Sequence, residues 1–525
     1  MYKNTLRKAA HVWKRIIELR LSEQEAFMLR FYVTFTDLHW GMFIPAIKGQ
    51  GTEQQQQKWL PLAYKMQIIG CYAQTELGHG SNVQGLETTA TFDRKSDEFI
   101  INSPTLTSRK WWPGGLGKAS THGVVYARLL VDEKDHGVNG FIVQLQSFDD
   151  HSPLPGITVA DIGMKFGNGA YKTMDNGVIR FNHVTREGKY VQSDVPRQLF
   201  YGTMVYVRQT IVANASCALS RAVCITTRYS AVRRQFGSQD GGPETQVIDY
   251  KTQQNKLFPL VATAYAYRFI GEWLKWLYTD ATQRLQASDF STLPKAHACT
   301  ADLKSLTTSS TADAIEECRK LCSSHGYLCS SGIPELFAVY VPACTYEGDN
   351  VVLLLQCCSD VQQAEDWLNP SAILEAFESR AARISVACAR NINKMPSQEE
   401  GFDELSSDLV ETAVAHCQLI IVSKFIQKLK QDIPGKGVKE QLQILCNIYA
   451  LFLLHKHQGE FLATGAIILK QASLASSVLG RYDGNVYPNL YAKAWEELLN
   501  DTVVPDDYRE YIRPMLKQQL RTARL

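Results

Sequence analysis

An excess of either charge is the first thing missing from this 525-residue chain, whose 55 basic residues face 53 acidic ones for a net charge of +2. Without a basic surplus, a nucleic-acid footprint is not expected. No C-x-x-C pair occurs among the thirteen cysteines. Cys318, Cys322 and Cys329 also lack histidines at zinc-ligand spacing, so neither a disulfide framework nor a metal site is expected. Buried reduced thiols are expected instead. The Walker A loop and the G-x-G-x-x-G turn are absent, which removes the common phosphate cradles. The longest apolar runs, such as "IYALFLL" from Ile448, fall well short of the about 20 residues a membrane span requires. Gly and Pro show no excess, and 45% hydrophobic with 21% charged residues is ordinary globular composition. The length implies roughly three or four domains.

The N-terminus "MYKNTLRKAAHVWKRIIELRL" is basic, places Val12, Ile16 and Leu19 on one face, and lacks the apolar core of a secretory signal. An ordinary amphipathic helix is expected, with a mitochondrial presequence as the alternative. The other end, Ala523-Arg524-Leu525, is a small-basic-leucine tripeptide close to the peroxisomal S-K-L address.

The first 68 residues carry a helical pattern, and Thr52-Glu53-Gln54-Gln55 has the form of a capping box. From about Met66 to Val191, β-branched and aromatic runs ("GVVYARLLV", "GFIVQLQ", "GVIRFNHV") alternate with turn residues, which predicts an antiparallel β domain. After residue 200 the pattern is helical. The segments "GTMVYVRQTIVANASCALSRAVCITTRYSAVRRQFG" and "VIDYKTQQNKLFPLVATAYAYRFIGEWLKWLYTD" suit bundle helices of about seven or more turns. Further amphipathic helices beyond residue 357 predict a second helical domain. The division is therefore 1–68 helical, 69–191 β, 192–356 helical bundle and 357–525 helical.

Three polar, Gly-rich segments interrupt this order: "CYAQTELGHGSN" from Cys71, "KWWPGGLGK" from Lys110 and "LCSSHGYLCSSG" from Leu321. Trp111 and Trp112 suit core or edge packing, and equally a flat heteroaromatic ring beside glycine amides. Arg233 and Arg234 complement a helix C-terminus, or aim a guanidinium fork at a phosphate. In "PACTYEGDN", Glu347 lies between the apolar runs "ELFAVYV" and "VVLLLQ". There it serves either as a base raised by apolar surroundings or as a cap, with Asp349 and Asn350, of the next helix.

Together these segments resemble acyl-coenzyme A oxidases, most closely the plant peroxisomal members. The resemblance runs through nearly the whole chain and is most specific in "DLHWGMFIPAIKGQGTEQQQQKWLPLA", "CYAQTELGHGSNVQGLETTATFD", "WWPGGLGK", "YSAVRRQFG" and "VPACTYEGDNVVLLLQ". It implies a mainly α chain with a central β domain: N-terminal helices, β domain, helical bundle and a second C-terminal helical domain. It also implies FAD as cofactor, acyl-CoA and O2 as substrates, and release of trans-2-enoyl-CoA and hydrogen peroxide in the first step of peroxisomal β-oxidation. Medium- to long-chain substrates, including jasmonate precursors, follow from the same likeness.

By motif, Glu347 would take the α proton, helped by carbonyl polarisation from a flavin ribityl hydroxyl and the base's own backbone amide. Thr75 and Gly114 match flavin contacts. Arg233 matches an arginine that reaches the FAD phosphate across a homodimer, with Gln254 beside it. Ser323, Ser324, His325, Gly326 and Tyr327 match the adenine-side loop. The C-terminal tripeptide would address a peroxisomal import receptor.

The chain departs from the family pattern at several points. Ser323 and Ser324 stand where glycines are usual, and the N-terminus starts inside the expected helical domain. The joins after "FNHV", after "VVLLLQ" and near "QASLASSVLGRYDG" are abrupt. Two alternatives therefore accompany the oxidase: an inactive truncated product that pairs with an intact subunit, and an acyl-CoA dehydrogenase.

Overall fold

The computed structural model describes residues 36–167, 174–187, 200–236, 242–287, 289–357, 372–435 and 437–463, together with His11, Lys14, Arg15, Glu18 and Leu19. The C-terminal tripeptide, "QASLASSVLGRYDG" and most of the first 35 residues lie outside these. Two compact units divide the chain, Met1–Val207 and Arg208–Leu525.

In the first unit a π-helical turn, His39–Phe43, leads into α1 (Ile44–Gln50) and α2 (Glu53–Tyr64). Thr52 Oγ1 accepts the Gln55 N–H at 3.3 Å and Gln55 Oε1 accepts the Thr52 N–H at 2.9 Å, the reciprocal cap expected of this sequence. His39 is fully buried, and its Nδ1 accepts the Gly70 N–H at 2.9 Å. Its Nε2 therefore carries the proton, donated to Ala63 O at 3.0 Å.

The β region is not purely antiparallel. β1 (Gly70–Ala73) and β2 (Thr89–Asp93) both run parallel to β5 (His122–Val131). They share one of its edges, β1 against residues 122–125 and β2 against 128–130, while β6 (Lys134–Gln144) pairs antiparallel along the other. β3 (Glu98–Asn102) and β9 (Val184–Glu187) extend the sheet. A three-stranded sheet orders β4 (Lys110–Trp111), β8 (Gly177–Phe181) and β7 (Ile157–Asp161). Alternation along β5 explains its continuous apolar run. Val125 and Ala127 join a cluster with Ile157, Ile179 and Phe181, whereas Val124 and Tyr126 meet Phe43, Ile44 and Ile47. A strand covered on both faces accepts parallel neighbours readily.

The second unit is built on long helices: α3 (Phe200–Val232), α4 (Lys251–Gln286) and α5 (Leu293–Leu321). Between α3 and α4 lies a short antiparallel pair, β10 (Arg234–Gln235) with β11 (Thr245–Gln246). α6 (Ile333–Tyr340) and α7 (Asn350–Cys357) follow, both packed on α5. α7 is described as far as Cys357, beside the abrupt join in the sequence. α8 (Ala372–Ile392), α9 (Gln398–Glu404), α10 (Ser406–Leu429), α11 (Val438–Lys456) and α12 (Gln458–Ala463) complete the described part. Buried Arg380 on α8 ties these helices together, its Nε donating to Glu460 at 3.0 Å and its Nη1 to Gln418 at 2.6 Å.

The expectation of no membrane span stands beside the helix compositions that follow, and the expectation of buried thiols is corrected in part. Met204–Val232 and Ser406–Leu429 are long and apolar enough to cross a membrane by composition alone, and half or more of each window is buried inside the protein. Spaced polar residues keep the unbroken apolar runs short while the helix average stays apolar. Cys217, Cys224 and Cys329 are exposed rather than buried, unlike Cys71, Cys299, Cys318 and Cys446.

Candidate active site

Thr75 stands where β1 ends, and its carbonyl accepts the Trp111 N–H at 3.0 Å. Next to it, Glu76 is buried and closes an ion pair with buried Lys110 at 2.9 Å. Glu76 also accepts the N–H groups of Glu87 at 2.8 Å and Thr88 at 2.9 Å. Burial alone would raise this carboxyl, but Lys110 and the backbone donors outweigh it and hold Glu76 below its ordinary value. Burial pulls the Lys110 ammonium down to about 8, against the pull of Glu76. The loop that presents Thr75 is thus clamped to β4 by a dry, satisfied pair. Sequence alone left Lys110 out.

The glycine loop has a local explanation. A Cβ on Gly114 would come within 3.2 Å of Leu38 and of the Met174 carbonyl, so the position is tight. Trp112 adopts φ +81° and is exposed, and its carbonyl accepts Asn176 Nδ2 at 2.6 Å.

In the helical unit Glu347 occupies a left-handed turn, with φ +58°, followed by Gly348 at +107°. Only strong surroundings hold a glutamate there. Asp349, not Glu347, caps α7: its Oδ1 accepts the Val351 N–H at 3.1 Å. Glu347 is half-buried as a residue, and burial raises its carboxyl above the usual carboxylate range. Arg208 and Lys304 pull the other way. Arg208 Nε donates to the Glu347 carbonyl at 3.0 Å. Among the described residues the Glu347 N–H has no hydrogen-bond partner. A base of raised affinity beside a free amide can take a proton and polarise a carbonyl.

Lys304, also missed from sequence, is fully buried on α5 and donates to Gly348 O at 2.6 Å and Asn350 Oδ1 at 2.9 Å. The available signal was a lone lysine on a helix face of hydroxyls, Ser305, Thr308 and Ser309.

A cavity of about 240 Å³ in the same unit is lined by Arg233, Lys256, Lys320, Tyr229, Gln253 and Ser323. Arg233 and Ser323 therefore come together. Glu317 also lines the cavity and pairs with Lys256 at 2.7 Å and with Lys320 at 3.8 Å, so Arg233 is the lining cation without an ion pair among the described residues. His325 lies 5.6 Å from the Tyr229 ring, and Arg319 sits over Tyr327 at 5.8 Å. Gly326 admits no side chain, because a Cβ would lie 2.0 Å from the Arg319 carbonyl. Ser323 has φ +55°; Ser324 does not share the left-handed conformation. Gln254 is buried and is not part of the cavity lining, and its Oε1 has no partner among the described residues. Glu347 is not part of the cavity lining.

Comparison with known proteins bears on all of these features. Acyl-coenzyme A oxidase N-terminal matches residues 1–69, acyl-CoA dehydrogenase middle domain 71–184, acyl-CoA oxidase C-alpha1 domain 201–361, and acyl-CoA oxidase 369–476 and 474–517. Peroxisomal acyl-coenzyme A oxidase 1 of Arabidopsis thaliana is 65% identical over 604 residues, covering 100% of this chain and 91% of the relative. The chain belongs to the acyl-CoA oxidase family. This oxidase is thus an oxidoreductase acting on acyl-CoA, of the peroxisomal group that carries out fatty-acid β-oxidation. The crystal structure of an acyl-CoA oxidase from tomato (Lycopersicon esculentum) matches with a TM-score of 0.87 and 67% identity, covering 98% of this oxidase and 91% of that chain. Acyl-CoA oxidase-1 of Caenorhabditis elegans, solved with FAD and ATP, matches at 0.84 with 30% identity, covering 99% and 90%. The Arabidopsis alignment is longer than this oxidase's 525 residues, so that relative carries internal segments lacking here.

Proposed function

We propose that this oxidase converts an acyl-CoA and O2 to trans-2-enoyl-CoA and hydrogen peroxide, with Glu347 as the base for the α proton. The Glu347 turn carries this reading: a carboxyl raised by burial, next to its own N–H, which has no partner among the described residues. FAD, when bound, supplies the acceptor for the β hydrogen and the route of the electron pair to O2. Arg233, which shares a cavity with Ser323, suits a phosphate of such a cofactor, and Gln254 Oε1, unpartnered among the described residues, could accept a hydrogen bond from it. Thr75, Gly114, Arg233, Gln254, Ser323, Ser324, His325, Gly326 and Tyr327 are the proposed contacts.

In this reading Glu347 accepts the proton while its amide holds the thioester oxygen as negative charge develops. The Glu76–Lys110 clamp keeps Thr75 in place, and the Arg233 guanidinium binds phosphate. The chain divides into domains at 1–68, 69–191, 192–356 and 357–525, pairs as a homodimer, and reaches the peroxisome through its C-terminal tripeptide.

Purified protein is expected to be yellow from bound flavin and to form peroxide with palmitoyl-CoA. Glu347→Gln should keep the colour and lose about 10²–10⁴-fold in turnover. A yellow wild-type protein that forms no peroxide overturns the activity. The internal segments present in the relative favour one second reading, an inactive product that pairs with an intact oxidase. A colourless protein that co-purifies with such a partner would support it.

A further inference from the structure

Both carbonyls of the strained turn at Glu347 and Gly348 are taken by cations from long helices. Arg208 of α3 donates to Glu347 O at 3.0 Å, and Lys304 of α5 donates to Gly348 O at 2.6 Å. Lys304 also donates to Asn350 Oδ1 at 2.9 Å, and Asn350 Nδ2 donates onward to Ser309 Oγ at 2.7 Å and Thr308 Oγ1 at 3.0 Å. Ser305 Oγ donates to Asn350 O at 2.7 Å. One helix face, from Lys304 to Ser309, thus holds the turn from Gly348 to the start of α7.

A neutral donor would suffice if that cradle were only mechanical. Burying an ammonium costs free energy unless its charge is used, and Lys304 is fully buried with no carboxylate in hydrogen-bonding contact among the described residues. The charge therefore acts at a distance. Arg208 and Lys304 are the charged groups acting on Glu347, while Cys344, Arg208, Glu347 and Asp349 act on Lys304.

We propose that Lys304 is a positioning residue that both fixes the Glu347 turn and, through its positive charge, keeps the base ionised in its dry pocket. This rests on Glu347 being the base. Burial drives that carboxyl toward its neutral form, which cannot accept a proton, and Lys304 opposes the drift. Removing the charge shifts the requirement for ionisation to higher pH, so activity is lost on the acid side and kept on the alkaline side.

The test is kcat/KM for palmitoyl-CoA at pH 6 and pH 8.5 in flavin-loaded wild type, Lys304→Gln and Lys304→Arg. Lys304→Gln retains a donor without the charge and is expected to lose about tenfold at pH 6 while staying within about threefold of wild type at pH 8.5. Lys304→Arg keeps the charge and should leave the ratio between the two pH values unchanged. Equal loss at both pH values in Lys304→Gln, the same altered ratio in both variants, or a Lys304→Gln protein without flavin and with an early melt makes Lys304 purely structural and overturns the proposal. An active Glu347→Gln protein would instead remove the base assignment itself, which separates the two failures.

Discussion

At Ser323 the backbone takes φ +55°, a conformation in which an L side chain crowds its own peptide. Its neighbour Ser324 carries no such strain, so the two serines, at positions where the resemblance implies glycines, are not equivalent. Ser323→Gly is expected to stabilise the protein by roughly 1 kcal/mol, seen as a higher urea midpoint. An unchanged midpoint would show that the Ser323 side chain makes a contact that offsets the strain. Sequence identified the pair of positions but not which one is strained, because φ depends on how the turn leaves α5. The same limit applied to Glu347. Its surroundings left base and cap open; the structure gives the cap to Asp349, and the base is the proposed role of Glu347.

Between elements, two buried polar contacts hold the first unit in place, and neither was visible as a pair in the sequence. His39 joins the π-helical turn to both α2 and β1 in its neutral form, and burial pulls it down to about 4. As pH falls below the ordinary histidine value of about 6.5, the unfolded chain binds this proton before the folded one does. Stability should therefore decline from about pH 6.5 to 4, by up to roughly 3 kcal/mol, and then level off. Chemical denaturation at pH 7 and pH 5 reads this, and His39→Gln should flatten the slope. The second contact is the Glu76–Lys110 pair. Lys110→Met leaves an uncompensated buried carboxylate and should cost about 3–5 kcal/mol in denaturation; a loss below about 1 kcal/mol would mean that the backbone donors to Glu76 suffice. The partners are 34 residues apart, and strand pairing alone brings them together. The parallel pairing of β1 and β2 with β5 was hidden for a related reason: alternation assigns side chains to faces but carries no strand direction.

For the molecule as a whole, the order of elements and the family followed from the linear pattern, because helical period, strand alternation and the local motifs are written in consecutive residues. Sequence by itself determined a helical, β, helical succession, the Thr52 cap, Glu347 as a candidate base and the likeness to acyl-CoA oxidases. Tertiary structure alone decided that Arg208 and Lys304 converge on the Glu347–Gly348 turn, that Lys110 neutralises Glu76, and that Arg233 shares a cavity with Ser323. Those contacts join residues far apart along the chain. Their energetics depend on burial, which turns an ordinary lysine or glutamate into a group whose charge must be answered by a specific neighbour.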